Sequence, residues 1–319
     1  MQPPVALIIF NRPPHTRRVL NEIRKYKPSR LLVIADGPRS EGEATQCEAA
    51  RSVIREVDWD CEVLTNYSSV NLGCRVRPAT GLTWVFEQCE EAIILEDDCV
   101  PDPSFFPFCA ELLEKYRADE RIMMISGNQF VVEDRPAKHS YYFSRYTHTW
   151  GWASWRRAWQ HYDIGIRRWS DLRQTEWLPQ TLGDSDLARY WRAILDDVWS
   201  GRITTWDYQW AFACWLNDGL AVAPSTNLVS NIGFGEGATH TALADHPFAN
   251  MASGALTFPL QHPPCVTCNR EMDALVVAQE FRANIYRRPQ CKLYFDMMRA
   301  ARQSMYNLHT RWNDLMSAS

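Results

Sequence analysis

No stretch of this chain stays apolar for the ~18–20 residues that a bilayer-spanning helix needs. Met1-Gln2-Pro3-Pro4 leads straight into the short run Val5–Phe10. That start lacks the basic residues and cleavage site of a secretory signal, so a soluble, cytoplasmic protein is expected. Positive charge is not in excess either: 34 Lys and Arg stand against 38 Asp and Glu, a net of -4. Nucleic acid is therefore not an expected partner. There is no internal repeat and no low-complexity linker. Glycine is missing after the first apolar run, where Asn11-Arg12-Pro13-Pro14 stands in place of a phosphate-cradling loop. Ten cysteines are scattered, several inside apolar segments such as Cys89, Cys109 and Cys214. Buried reduced thiols are the plain expectation. Cys265 and Cys268 form one CxxC, flanked by His262 and Cys291 but without a second pair. Zinc binding there stays an open question.

Aromatic residues are abundant, with 14 Trp and 12 Tyr in 319 residues. Such an excess suits core packing, and it equally suits binding of flat apolar sugar faces.

The spacing of apolar residues predicts strands at Val5–Phe10, Leu31–Ala35, Cys61–Thr65 and Ile93–Leu95. Helices over Thr16–Tyr26, Glu43–Val57 and Thr80–Cys89 alternate with them. Alternation of this kind predicts an α/β fold with a mostly parallel central sheet flanked by helices. Further helices are expected at Pro103–Tyr116, Asp184–Trp199 and Trp206–Leu216. Further strands are expected at Arg121–Ser126, Tyr141–Phe143 and Ala221–Ala223. Residues 1–260 then make one catalytic domain, divided into 1–98 and 99–260, and 261–319 make a helical tail that Pro289 divides. The tail mixes Arg287, Arg288, Lys292, Arg299 and Arg302 with Tyr294, Phe295, Met297 and Met298. Two readings are open for it: docking on the core, or peripheral contact with an anionic membrane at its inner face.

The most informative stretch is Ile93-Ile94-Leu95-Glu96-Asp97-Asp98. A buried strand drives into three consecutive acids and is stopped at once by Pro101 and Pro103. Carboxylates at the carboxyl end of a central strand sit where open α/β sheets bind ligands. Acids this close repel, and a hard cation such as Mg²⁺ or Mn²⁺ relieves the repulsion. The pattern points to a metal-dependent enzyme of nucleotide diphosphate compounds. A solvated acidic turn is the bland alternative.

These residues resemble the acidic metal-binding motif of GT-A glycosyltransferases, in particular the N-acetylglucosaminyltransferase I type and related bacterial glycosyltransferases. The resemblance runs in order through Phe10-Asn11-Arg12-Pro13, Ile34-Ala35-Asp36-Gly37, Ile94 to Asp98, Gly151-Trp152, Trp206-Asp207 and Phe234-Gly235 with Thr239-His240. It implies a nucleotide-sugar donor, UDP-sugar by preference, an Mn²⁺ or Mg²⁺ cofactor, and a glycan or lipid-linked acceptor. By the same resemblance Asp98 binds the metal, and His240 either ligates the metal or touches the diphosphate. Glu96 and Asp97 hold the ribose or the metal's waters. Asp36 meets the nucleobase, Arg12, Arg75 and Arg77 the nucleotide or diphosphate, and Gly151 the donor. Asp207 is the general base of an inverting transfer. The glycine-rich run Gly233–Gly237 has the freedom of a lid.

Each residue also has a structural reading: Asp36-Gly37 as a simple turn, Arg12 as a surface ion pair, Asp207 as a helix cap, His240 as a structural histidine. The family's pair of adjacent acids is reduced here to Asp207 before Tyr208. A sugar nucleotidyltransferase, and a non-catalytic carbohydrate-binding or membrane-associated protein on a transferase scaffold, stand as rivals.

Overall fold

The computed structural model describes residues 2–131, 138–234 and 248–281. His240, Gly235–Gly237 and the tail beyond Phe281, with Cys291, lie outside the described residues.

The chain opens with β1 (Val5–Ile9), α1 (Pro13–Tyr26), β2 (Arg30–Ala35), α2 (Glu41–Val53), β3 (Glu62–Tyr67), α3 (Gly73–Gln88) and β4 (Glu91–Glu96). It continues with β5 (Cys99–Pro101), α4 (Phe105–Lys115), β6 (Ile122–Ser126), β7 (Tyr141–Ser144), β8 (Trp152–Trp155) and α5 (Arg156–Trp159). Then follow α6 (Trp169–Leu172), α7 (Trp177–Leu182), α8 (Ser185–Trp199), α9 (Asp207–Leu216), β9 (Leu220–Pro224), β10 (Val229–Asn231) and α10 (Arg270–Val276).

Eight strands form one sheet in the order β3-β2-β1-β4-β8-β6-β9-β7. Strands β1 to β4 pair in parallel, as β6 does with β9. Antiparallel β8 is wedged between β4 and β6, and β7 runs antiparallel to β9. The architecture is thus a mostly parallel α/β sheet with flanking helices. Alternation along the strands sets its two cores. Leu7, Val33 and Leu95 face α1 and α4, packing with Val19, Leu20 and Phe105. Ala6, Ile34 and Ile94 face α3 and α9, packing with Leu82, Phe86 and Trp210. Strands buried on both faces need the unbroken apolar runs seen in β1, β2 and β4. A third core joins α7, α8 and the far side of α9 through Trp191, Ile194, Phe212 and Trp215. Helix α9 is therefore buried on two sides.

Local chemistry explains the turns beside the site. Pro13 opens α1 at its first position, where a missing N–H costs nothing. Helix α3 begins at Gly73 and runs through Pro78, rather than starting at Thr80 as the sequence pattern predicts. The Asp36 carboxylate accepts the N–H groups of Leu72 and Gly73 at the start of the helix. Short strands β5, β8 and β10 are also not predicted by spacing. They are three or four residues long and carry proline, tryptophan or asparagine.

Among the described residues no helix is long and apolar enough to cross a membrane.

Candidate active site

Strand β4 carries Glu96 out of the sheet at the carboxyl ends of the parallel strands, and Asp97 and Asp98 turn back toward β1. The Phe10 N–H donates to Asp97 Oδ2 at 3.2 Å. Arg12, just before α1, pairs through Nη2 with Asp97 Oδ1 and, at 2.8 Å, with Asp98 Oδ2. Asp97 is buried, while Asp98 and Glu96 are partly exposed. The antiparallel pairing of β5 with β10 brings Ile232 and Gly233 over the acids. Ile232 N–H donates to the Asp98 carbonyl at 2.8 Å. His15 Nε2 lies 3.3 Å from the Ile232 carbonyl, tying α1 to the same loop.

Positive charge is short here. Burial pushes the Glu96 carboxyl up to about 8, and Asp98, Asp97 and Asp207 push it the same way. Burial also raises Asp97, to about 6, although Arg12 works against it. For Arg12 burial opposes the charge, but Asp97 and Asp98 outweigh it and raise the guanidinium above its usual range. Glu96 thus feels three other carboxylates, two of which pair with Arg12. Among the described residues no group of three or more His, Cys, Asp or Glu is arranged to enclose an ion. The deficit is nevertheless one that a hard cation suits, with Asp98 as the partly exposed carboxylate beside it.

A cleft of about 140 Å³ opens beside the acids, lined by Phe10, Asn11, Arg12, Asp36, Glu96 and Asp97, with Arg39, Cys74 and Arg77 on its other side. Asp36 is 6% exposed. Its oxygens accept from Gly37 N at 2.8 Å, Leu72 N at 2.9 Å, Gly73 N at 2.8 Å and Asn71 Nδ2 at 3.1 Å. Those four bonds fill a carboxylate's capacity. Asp36 therefore holds the turn at 71–73 that forms one side of the cleft. Arg77 is buried and donates to the carbonyl of Ala35 at 3.1 Å and to the side chain of Asn66 at 2.7 Å. Arg75 donates to the carbonyl of Ile164 at 3.0 Å and does not line this cleft.

Gly151 has φ +74, and a β-carbon there would fall 2.7 Å from Val229. Its close approach is to the protein's own core, and its carbonyl accepts from Gly127 N–H at 2.8 Å. His240 falls outside the described residues.

Asp207 is the first residue of α9 and accepts a hydrogen bond from Thr205 Oγ1. Its charge helps to raise the Glu96 carboxyl, the Cys74 thiol and the Tyr162 phenol. Asp207 also lines an aromatic cleft of about 210 Å³, walled by Phe130, Trp150, Trp191, Tyr208, Phe234 and Phe248. The structure thus brings Arg12, Asp36, Arg77, Glu96, Asp97, Asp98 and Asp207 together. Arg75 and Gly151 stand apart from the cleft. His15 and Cys74 join the site unannounced by any motif, whereas Gly233 opens the glycine-rich run that the sequence marks out.

The CxxC shows a different use of sulfur. Cys268 lies 3.1 Å from Asp273 Oδ2, whose carboxylate also takes Ser144 Oγ at 2.6 Å and Arg145 N at 3.1 Å. Burial pushes the Cys268 thiol up to about 12, with Asp273 adding to the shift.

No family model matches the chain, and no curated protein matches it. Solved structures that resemble it include mouse xyloside xylosyltransferase 1 in its apo form, at 13% identity and a TM-score of 0.33, over 66% of this chain and 80% of that one. They also include a 4-diphosphocytidyl-2C-methyl-D-erythritol synthase from Anaerococcus prevotii, at 11% identity and a TM-score of 0.27, over 49% of this chain and 72% of that one. Likeness this distant carries no functional argument, which has to come from the residues.

Proposed function

We propose that this protein is a metal-dependent, inverting glycosyltransferase that moves a sugar from a nucleotide-sugar donor, UDP-sugar by preference, to a glycan or lipid-linked acceptor. One observation carries the proposal. Glu96 and Asp97 line one cleft, Asp98 follows them and pairs with Arg12 of the same cleft, and Asp207, whose charge acts on Glu96, lines an aromatic cleft. The motif order that resembles the N-acetylglucosaminyltransferase I type supports the same choice.

Glycosyl transfer breaks the bond between the anomeric carbon and the diphosphate oxygen and forms one to the acceptor oxygen. The electron pair leaves with the nucleoside diphosphate. Mn²⁺ or Mg²⁺, when bound, supplies charge neutralisation to that leaving group. Asp98 would hold it, with Glu96 and Asp97 in support. Arg12 now occupies an Asp98 oxygen and is well placed to share its forked donors with a phosphate. Asp207 takes the acceptor hydroxyl's proton from the face opposite the leaving group. Phe10, the 71–73 turn and Arg77 shape the donor side.

The deciding experiment is a melting panel with UDP, GDP, CMP and dTDP, each with Mn²⁺ or with EDTA. A ligand that binds only the folded state raises the midpoint. A shift with one nucleotide that EDTA abolishes is the expected result. No shift with any of them would overturn the proposal. Pyrophosphate release from a nucleoside triphosphate would instead favour a nucleotidyltransferase.

A further inference from the structure

The aromatic cleft that Asp207 lines and the cleft beside Glu96 and Asp97 differ sharply in charge. Arg12, Arg39 and Arg77 line the donor side. Among the described residues lining the aromatic cleft there is no Lys or Arg, and Asp207 is the one carboxylate. Its walls are built of rings that brace one another edge to face. Phe130 meets Trp150 at 5.1 Å and 85°, and Trp150 meets Phe234 at 5.5 Å and 84°. Opposite, Trp191 meets Tyr208 at 5.6 Å and 86°, and Trp215 at 4.8 Å and 89°. Rings held this way keep a cleft open in shape without any occupant.

Among the described lining residues a phosphate entering here would shed its water beside a carboxylate and meet no Lys or Arg, a costly exchange. An uncharged ring with a flat C–H face would lose only weakly bound water and cover aromatic surface, which is favourable. The volume, about 210 Å³, falls below the ~300–1,000 Å³ of sites for drug-sized ligands. It suits a single sugar ring. Thr147, Thr149 and His148 supply polar atoms on the same lining.

We infer that the aromatic cleft takes an uncharged pyranose ring as acceptor, and not a sugar carrying a phosphate next to the ring. The inference rests on the transferase reading above and narrows its acceptor class. The ring's hydroxyl oxygen forms the new bond to the donor's anomeric carbon, its proton passes to Asp207, and the donor's bond to diphosphate breaks.

The test is quenching of intrinsic tryptophan fluorescence, since Trp150, Trp191 and Trp215 line the cleft. The probes are methyl glycosides of glucose, galactose, xylose and N-acetylglucosamine, each beside its sugar 1-phosphate. UDP with Mn²⁺ is followed in parallel by melting. At least one glycoside should quench, with its 1-phosphate weaker by about tenfold or more. Trp150→Ala should weaken that glycoside by a similar factor. If this variant does not fold, Tyr208→Ala carries the comparison. A 1-phosphate that binds as well as its glycoside overturns the inference. No quenching by any glycoside, with the UDP shift intact, overturns it and leaves the transferase reading standing. Loss of both responses removes both.

Discussion

The backbone of Gly233 lies against the carboxylate of Asp98: a β-carbon built on the glycine would fall 2.0 Å from Oδ2 and 2.7 Å from Cγ. Asp98 is boxed between that glycine and Arg12, with its own carbonyl held by Ile232. Gly233→Ala must therefore move either the loop or the carboxylate. Overpacking of this kind costs about 1–3 kcal/mol. If Asp98 is where the metal binds, the alanine variant should lose about tenfold or more in Mn²⁺-dependent UDP binding while the fold survives. Titration of UDP in Mn²⁺ against the far-ultraviolet spectrum checks both halves. Unchanged binding would show that Asp98 and the loop can part freely.

Asp98 and Asp207 are assigned different work, so their variants should fail differently. Asp98→Ala should remove both transfer and the metal-dependent part of donor binding. Asp207→Asn should keep donor binding and lower turnover by about 10² or more, the range expected for loss of a general base. Steady-state kinetics with a positive acceptor, together with the nucleotide melting shift, separates the two. Normal turnover in Asp207→Asn would take it out of the chemistry.

Asp36 offers a contrast between reading a base and holding a turn. Its four internal hydrogen bonds predict that Asp36→Asn, which turns one acceptor oxygen into a donor, destabilises the protein by about 1–2 kcal/mol. Nucleotide preference should not change, although affinity should fall as the 71–73 turn shifts. A urea midpoint and a UDP, CDP and GDP comparison decide. Unaltered stability with a changed base preference would return Asp36 to the role that the motif resemblance implies.

Most of the first half was legible because its physics is local. Runs such as Val5–Ile9 and Ile93–Leu95 are buried on both faces, and nothing but apolar residues can serve there. The acids after β4 stood out for the same reason. What escaped was made by contacts across long separations. The Asp36 carboxylate that starts α3 reaches over 36 and 37 residues, and His15 meets Ile232 across 217. Strand β8 hid inside a tryptophan-rich segment because Trp152 and Trp155 satisfy core and strand patterns alike. Gly151 looked like a place for a ligand, but the space beside it is filled by Val229 and Leu95. A glycine reports that something comes close, and not what.

The charge deficit around Glu96 has a consequence for pH. Glu96 and Asp97 are both raised, to about 8 and about 6, chiefly by burial. In an unfolded chain both would titrate near ordinary carboxylate values, around 4. The folded state therefore holds more protons between those limits. The stabilisation is fully present below about pH 4 and is lost as pH rises through about 6 and then about 8. In EDTA the melting midpoint should fall between about pH 4 and about pH 8. Glu96→Gln, which keeps the shape but cannot ionise, should flatten the limb above pH 7 and leave the lower limb to Asp97. Mn²⁺ should oppose the fall, since a cation beside Asp98 lowers the cost of ionising its neighbours. Melting curves of wild type and variant at four pH values, with and without Mn²⁺, are sufficient. An equal slope in both proteins above pH 7 would mean that Glu96 is already charged and hydrated. The site would then have no unmet need for a cation there.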